Sequence, residues 1–349
     1  MVQTRQWVLN NKPSGLPVLE GADATFTIKT AEVAELKDDE VLVKPKYLSN
    51  DPAQRGWLRD MEDESRLYVP PVQIGEVMRA RALAEVLESK SSKFKKGDLL
   101  LGATGWAEQA VLPASQCQPA PELPNGLSRT HYLGALGMTG LTAHGGLKYI
   151  ARTTSEDVVV ISGAAGATGS MAVQIAKKLF GCKRVIGIAG SDEKCEWVKS
   201  LGADECLNYK SSSFAADLKK ATPDYVNVYF DNVGGEILDL LLTRMAKNGR
   251  IAACGAISNY NSSGDAITGL KNWFEVITMR LEIKGFIVLD FADKFGQDLE
   301  TFKKAISEGK LTIGDEGEHV VDSGFDEIPK TWMGLFSGAN QGKLLTKIN

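Results

Sequence analysis

Cysteine and histidine are scarce in this chain of 349 residues, with 5 and 3 copies. The cysteines, Cys117, Cys182, Cys195, Cys206 and Cys254, are scattered, odd in number and free of any Cys-x-x-Cys pair. That pattern argues against a disulfide framework and a cysteine-built zinc lobe, and it fits a reducing compartment. Basic excess is also missing: 40 Lys and Arg stand against 44 Asp and Glu, a net charge of −4. The electrostatic footprint of a nucleic-acid or anionic-membrane binder is therefore absent. Met1 to Asn11 carries Arg5 with no apolar run behind it, so neither a signal peptide nor a membrane span is expected. Leu344 to Asn349 matches no lipidation or retention tail. The expected location is the cytoplasm. No Gly-x-Ser-x-Gly elbow supports a hydrolase.

What is present is an average globular composition, with 43% hydrophobic and 24% charged residues, which disfavours disorder and coiled coil. At about 150 residues per domain the length suggests a little over two domains. Two textures divide the chain. Before about Leu123, short apolar runs such as Glu40 to Tyr47 and Leu99 to Gly102 are broken by Pro, Gly and charge, which predicts a mainly β module. Pro113, Pro119, Pro121 and Pro124 then crowd one stretch, a plausible domain crossing. Beyond it strands and helices alternate. Val158 to Ile161 is a continuous β-branched run of the kind a strand buried on both faces needs. Helices are predicted over 169–180, 192–201 and 236–246, strands over 184–188, 225–231, 250–253 and 283–289, and helical spacing from Phe295 to Ile306. Repeated β-α units imply a doubly wound parallel sheet, because parallel strands need crossovers. From about Gly309 the rhythm is lost, as expected of a tail returning to the first module.

Gly163-Ala164-Ala165-Gly166-Ala167-Thr168-Gly169 separates the first buried strand from its helix. The spacing is Gly-x-x-Gly-x-x-Gly. Small residues there let backbone approach a pyrophosphate, and the following helix offers unpaired N–H groups and its positive dipole end. The competing reading is a glycine turn that only permits tight packing. The second strand runs into Ala189-Gly190-Ser191-Asp192-Glu193-Lys194. NAD binders place an acid at the strand end for the ribose hydroxyls; here Ala189 and Gly190 leave room for a phosphate, Lys194 can neutralise it and Ser191 can donate to it. Ser191 or Asp192 also reads as an ordinary N-cap, and Lys194 as a solvated helix residue. The missing acid tips the reading to NADPH.

Zinc alcohol dehydrogenases need a Cys and a Gly-His-Glu in their first module. This chain has no Cys before Cys117, no His before His131, and no His at Ile74-Gly75-Glu76. Zinc catalysis is not expected, and His144 and His319 read as structural. Several runs then converge: Tyr47-Leu48-Ser49-Asn50-Asp51-Pro52, Leu136 to Ala143, Val228 to Gly235, Cys254 to Asn261 and Gly334 to Gly338. In these the chain resembles the medium-chain dehydrogenase/reductase superfamily, and within it the zinc-free branch of prostaglandin reductases, leukotriene hydroxydehydrogenases and alkenal double-bond reductases.

The resemblance implies a Rossmann-type domain over 126–308, a GroES-like mainly β substrate domain split between 1–125 and 309–349, and a homodimer. It implies that Gly166, Ala167, Thr168 and Gly169 hold the pyrophosphate, and that Lys194 and Tyr209 lie around the 2′-phosphate of NADPH; Gly163 and Ser191 join these two sets on the reading of the loop and the strand end given above. Further cofactor contacts are implied at Asn232, at Cys254, Gly255, Ala256, Ile257, Ser258 and Tyr260, at the Phe286-Ile287-Val288 strand and at Asn340. The activity implied is reduction of the carbon–carbon double bond of an α,β-unsaturated ketone or aldehyde, with hydride added to the β-carbon and charge developing as an enolate. The candidate donors to that oxygen are the nicotinamide ribose hydroxyl and Tyr260, whose phenol is protonated at neutral pH; the competing reading makes Tyr260 a packing aromatic. Trp57, Tyr68 and Trp273 are candidate pocket aromatics. One departure matters: the family often has Asp-Pro-Tyr-Met-Arg, and here Asp51-Pro52 is followed by Ala53-Gln54-Arg55. Ala53 leaves more room and removes a hydroxyl. Alternative readings are an NADPH quinone reductase, an NADP-dependent oxidation of an allylic alcohol, and a non-catalytic NADPH sensor.

Overall fold

The computed structural model describes residues 2–60, 63–262, 267 and 269–348. Its contacts divide the chain into two compact units, Met1–Gly134 with Glu318–Asn349, and Ala135–Gly317.

In the first unit the chain begins with β1 (Gln3–Leu9), β2 (Phe26–Glu32), β3 (Glu40–Ser49), β4 (Ala82–Ser89), β5 (Leu99–Gly102), β6 (Ala110–Pro113) and β7 (Gln118–Pro119). β3 shows why strands form here. Val41, Val43 and Leu48 are buried while Leu42, Lys44 and Tyr47 are partly open, the period of a half-buried strand. The second unit follows with α1 (Met138–Gly145), β8 (Val158–Ile161), α2 (Ala167–Gln174), β9 (Arg184–Ala189), α3 (Asp192–Ser200), β10 (Glu205–Asn208), α4 (Phe214–Ala221), β11 (Val226–Asp231), α5 (Gly235–Leu242), β12 (Met245–Ala253), α6 (Phe274–Thr278), β13 (Glu282–Gly285) and α7 (Phe295–Ser307). The chain then re-enters the first unit as β14 (Glu318–Ser323), α8 (Ile328–Ser337) and β15 (Lys343–Ile348).

That return completes the first unit's main sheet, whose strand order is β14-β15-β3-β4-β5-β7, with β6 also paired to β3. β15 runs antiparallel to β3 through Leu345↔Ser49 and Lys347↔Tyr47. α8 supplies Trp332 to a buried aromatic group, with ring centroids 5.7 Å from Trp106 and 5.9 Å from Phe26. Residues more than 200 positions apart in sequence thus share one core, and aromatic rings supply much of its buried area.

The second unit carries the doubly wound sheet that the alternation predicts. Its six strands lie in the order β10-β9-β8-β11-β12-β13, and every neighbouring pair is parallel. β8 is buried at all positions, as a strand covered on both faces must be. The chain order reverses between β8 and β11, so a crevice opens beyond their carboxyl ends.

Three boundaries differ from the sequence reading. The helix predicted over 236–246 stops at Leu242, because Met245 pairs with Val226 and joins β12. The strand predicted over 283–289 ends at Gly285, and a helical turn starts at Val288; Phe286-Ile287-Val288 is therefore no strand. α2 is regular to Gln174 and continues as a wider π turn, Ile175–Leu179. α1, β10, α4 and α8 carry no isolated signal in the sequence reading. Among the described residues no helix is long and apolar enough to cross a membrane.

Candidate active site

The crevice between β8 and β11 has one wall made of backbone. Gly163 adopts φ +58°, a left-handed conformation that costs glycine nothing. Its carbonyl accepts the Gly166 N–H at 2.9 Å, and Ala164 N–H donates to Ile188 O at 2.9 Å, which ties the loop to β9. Gly166 is the N-cap of α2 and offers no capping side chain, so the first-turn N–H groups are left for a ligand. A Cβ at Gly169 would lie 2.2 Å from Gly163 O and 2.7 Å from Ala164 Cα; one at Gly166 would lie 3.3 Å from Gly163 O. Only glycine fits at 169, and the loop closes into a cradle that side chains would fill. Backbone N–H groups at a helix start suit an anion such as a pyrophosphate.

The other wall is polar and buried. Asp231, at the end of β11, is 2% exposed. Its Oδ1 accepts from Tyr229 OH at 2.7 Å, Gly234 N–H at 2.9 Å, Val233 N–H at 3.0 Å and Ser162 Oγ at 3.2 Å. Burial raises its pKa, and these four donors oppose the shift. Asn232 is tied across to β8, its N–H donating to Ser162 Oγ at 3.0 Å and its Nδ2 to Ser162 O at 2.7 Å. The backbone O of Asp231 receives the N–H groups of Cys254 (2.9 Å) and Gly255 (3.0 Å), and Ser258 Oγ donates to Val233 O at 2.6 Å. One carboxylate therefore sets β8, the 232–234 turn and, through its own backbone, the 254–260 loop. Within that loop the Tyr260 hydroxyl oxygen accepts Ala256 N–H at 3.4 Å. Burial and the nearby Asp231 charge push the Cys254 thiol up to about 12, so it is no thiolate at neutral pH.

A third cluster lies at the end of β9. A Cβ on Gly190 would meet the Tyr209 ring at 3.1 Å, which keeps this position open. Ser191 caps α3, its Oγ accepting Lys194 N–H at 3.3 Å. The Tyr209 N–H donates to Ala189 O at 3.0 Å, and Lys210 Nζ lies 5.9 Å from the Tyr209 ring centroid. Burial lowers the Lys194 pKa, and the charge of Lys210 lowers it further. Lys194 and Lys210 thus sit within electrostatic reach of each other at this end of the sheet.

Gly163, Gly166, Ala167, Thr168, Gly169, Asn232 and the Cys254–Tyr260 loop thus frame the crevice, and Ser191, Lys194 and Tyr209 share the end of β9. Phe286 packs behind β11, its ring 6.3 Å from Phe230. Asn340 belongs to the first unit, where its Nδ2 donates to Gly342 O at 2.8 Å. Trp57 and Tyr68 are joined in the first unit by Trp57 Nε1–H donating to Tyr68 OH at 2.8 Å. Trp273 stands in the second unit, 52% exposed ahead of α6. The sequence reading missed Ser162, Tyr229, Asp231 and Lys210. Asp231 lies inside a quoted motif, yet nothing local marks its side chain as the acceptor for four donors. Glycine and lysine surroundings of this kind fit a dinucleotide that carries a 2′-phosphate. Among the described residues no group of three or more His, Cys, Asp and Glu side chains is placed to hold a metal ion.

Comparisons with known proteins agree with this geometry. Residues 5–120 match the family described as the N-terminal domain of oxidoreductase, and residues 167–305 the family described as zinc-binding dehydrogenase. Prostaglandin reductase 1 of Bos taurus is 38% identical over 99% of this chain and 100% of its own. The NADP(+)-dependent 2-alkenal reductase of Nicotiana tabacum is 36% identical over 100% of this chain and 98% of its own. The crystal structure of CurA from Vibrio vulnificus in complex with NADPH superposes with a TM-score of 0.87 at 32% identity, covering 99% of each chain. With near-complete coverage at these identities, the chain belongs to the medium-chain dehydrogenase/reductase superfamily, in the zinc-free branch that holds the prostaglandin and 2-alkenal reductases.

Proposed function

We propose that the protein is an NADPH-dependent reductase of the carbon–carbon double bond in α,β-unsaturated ketones and aldehydes. The observation that carries this reading is the Gly163–Gly169 cradle between β8 and α2, beside the strand β9 that leads into Ser191 and Lys194 at the start of α3. The names of the mammalian and plant relatives add the reaction type. Gly163 to Gly169 hold the pyrophosphate through backbone N–H groups. Ser191, Lys194, Tyr209 and Lys210 hold the 2′-phosphate, and Asn232, the 254–260 loop and Phe286 to Val288 add further cofactor contacts. When bound, NADPH supplies the hydride that adds to the substrate β-carbon.

The chain's own work is positional and electrostatic. Asp231 fixes the 232–234 turn and the start of the 254–260 loop, so the loop presents Tyr260 in one arrangement. The Tyr260 oxygen accepts Ala256 N–H, and its phenol, protonated at neutral pH, is the donor to the enolate oxygen as charge develops there. Donation aimed at charge that appears only in the transition state lowers the barrier.

The test follows loss of the nicotinamide absorbance with a medium-chain enone, using NADPH, NADH, and NADPH with a chelator. Chelator-insensitive oxidation of NADPH, much faster than of NADH and yielding the saturated ketone, supports the reading. Turnover of a quinone but of no enone overturns it in favour of a quinone reductase.

The protein acts as a homodimer in this reading. β13 is an edge strand of the parallel sheet, and Phe274 and Ile277 on α6 just before it are 69% and 62% exposed. An unpaired edge beside apolar surface suits a second copy of the same chain. Light scattering after gel filtration should give twice the chain mass, and Ile277→Asp should shift it toward the monomer.

A further inference from the structure

Asp298 lies in the first turn of α7, 1% exposed, and three groups converge on it. The Tyr149 hydroxyl donates to Asp298 Oδ1 at 2.8 Å. Lys148 Nζ lies 3.5 Å from the same oxygen, and His144 Nδ1 lies 3.2 Å from Oδ2. His144 stands in the last turn of α1, and Lys148 and Tyr149 belong to the π turn Gly146–Ile150 that continues it. Burial and the Asp298 carboxylate push the Tyr149 phenol up, so it stays protonated and its proton has a fixed acceptor. The Tyr149 ring lies 5.1 Å from the Phe291 ring, which lies 6.1 Å from that of Phe286. Two glycines make the seats for these rings. A Cβ at Gly145 would lie 2.7 Å from Phe291 Cδ2, and one at Gly146 2.6 Å from Phe286 Cζ. Phe291 belongs to the helical turn Val288–Lys294, which is tied to Ile287 by its N–H donating to Asp290 Oδ2 at 3.1 Å.

Apolar packing has no preferred direction, whereas a hydrogen bond to a charged acceptor does. In the row Tyr149, Phe291, Phe286 the direction comes from the buried carboxylate at its end. The strand order says what the row supports. With the 2′-phosphate at the end of β9 and the pyrophosphate at the start of α2, after β8, a dinucleotide continuing across β11 and β12 brings its nicotinamide half to the side of β13. Phe286 is the residue that follows β13. We propose that Asp298 is a positioning residue for hydride transfer: through Tyr149 and Phe291 it holds the Phe286–Val288 segment against which the nicotinamide half of the cofactor rests. This role rests on the NADPH reading and adds to it a residue outside the contacts named there. Placement matters at that point, since about 1 Å of error at a reacting centre can cost a hundredfold in rate.

The experiment compares two ligands of the full-length protein, NADPH and 2′,5′-ADP, which carries the 2′-phosphate but no nicotinamide. Tyr149→Phe removes only the hydroxyl, and Gly145→Ala pushes on Phe291 while leaving the acid in place. Each should lower kcat with a medium-chain enone by about fivefold or more and weaken NADPH by about threefold to tenfold, with 2′,5′-ADP affinity kept within about twofold. The emission of bound NADPH, which reports the surroundings of the nicotinamide, should shift in both variants. Asp298→Asn keeps an acceptor for Tyr149 and should stay nearer the wild type than Asp298→Ala. Equal weakening of NADPH and 2′,5′-ADP overturns the proposal, because the network then only supports the fold. Wild-type kcat and emission in both variants overturn it as well. If the wild type binds NADPH but reduces no enone, the reductase reading fails alone, and the two affinities with the emission decide the positioning role. If the wild type binds neither ligand, the cofactor reading fails and the positioning role with it.

Discussion

The two walls of the crevice in the second unit are built by opposite means. On the β8 side, side chains are removed: glycines at 163, 166 and 169 let backbone close on itself, with a Cβ at Gly169 only 2.2 Å from Gly163 O. On the β11 side, a side chain is buried at cost: Asp231 is 2% exposed and satisfied by four donors on one oxygen. The first wall is a shape, complete in seven consecutive residues. The second is a network that exists only when Ser162, Tyr229 and the 233–234 turn arrive together. A ligand's phosphates need the first, and the orientation of the 254–260 loop needs the second.

Substitutions should separate these contributions. Gly169→Val has the largest expected effect, because the loop must move to admit the side chain. NADPH affinity by fluorescence titration should fall by about a hundredfold or more, and a change under about threefold would show that the loop is not the cradle. Asp231→Ala leaves the Tyr229 hydroxyl and two backbone N–H groups without their acceptor. Urea unfolding should show a loss of about 2–4 kcal/mol; a loss below about 1 kcal/mol would reduce the second wall to packing. Tyr260→Phe should lower kcat by about tenfold or more while the NADPH dissociation constant stays in place; a smaller drop makes Tyr260 a positioning residue. Lys194→Ala should cut the preference for NADPH over NADH by about tenfold, through lost contact with the 2′-phosphate. The smallest effect is a pH slope. Burial raises the native pKa of Asp231 above its unfolded value, so in that window the native state holds more protons than the unfolded chain. Stability of the wild type relative to Asp231→Asn should therefore fall as pH rises from the ordinary carboxylate value through the native one.

The same contrast explains what could be read early. The Gly163–Gly169 loop, β8 and β9 are visible because each depends on near neighbours: a β-branched run, a glycine spacing, a helix start. The end of α5 is misread because Leu242 and Met245 both suit an apolar helix face. Only the pairing of Met245 with Val226 decides that the chain has become a strand. Phe286 and Ile287 are apolar and β-prone, yet β12 pairs with β13 only as far as Gly285. Lys210 escapes notice because it reads as one more solvated lysine. Its effect on Lys194 requires β10 to lie beside β9.

By itself the sequence determines the alternating second unit, the phosphate loop, the lack of zinc ligands ahead of Cys117 and the family motifs. These are periodicities, spacings and absences, and they survive in a chain of any shape. Tertiary structure alone decides that Lys343, almost 300 residues downstream, reaches Asp51 and balances its charge. It alone makes Asp231 the acceptor for donors on two strands and a turn. The physical reason is common to both. The charge balance and hydrogen-bond satisfaction of a buried group depend on which distant residues reach it, and linear order carries no record of that distance.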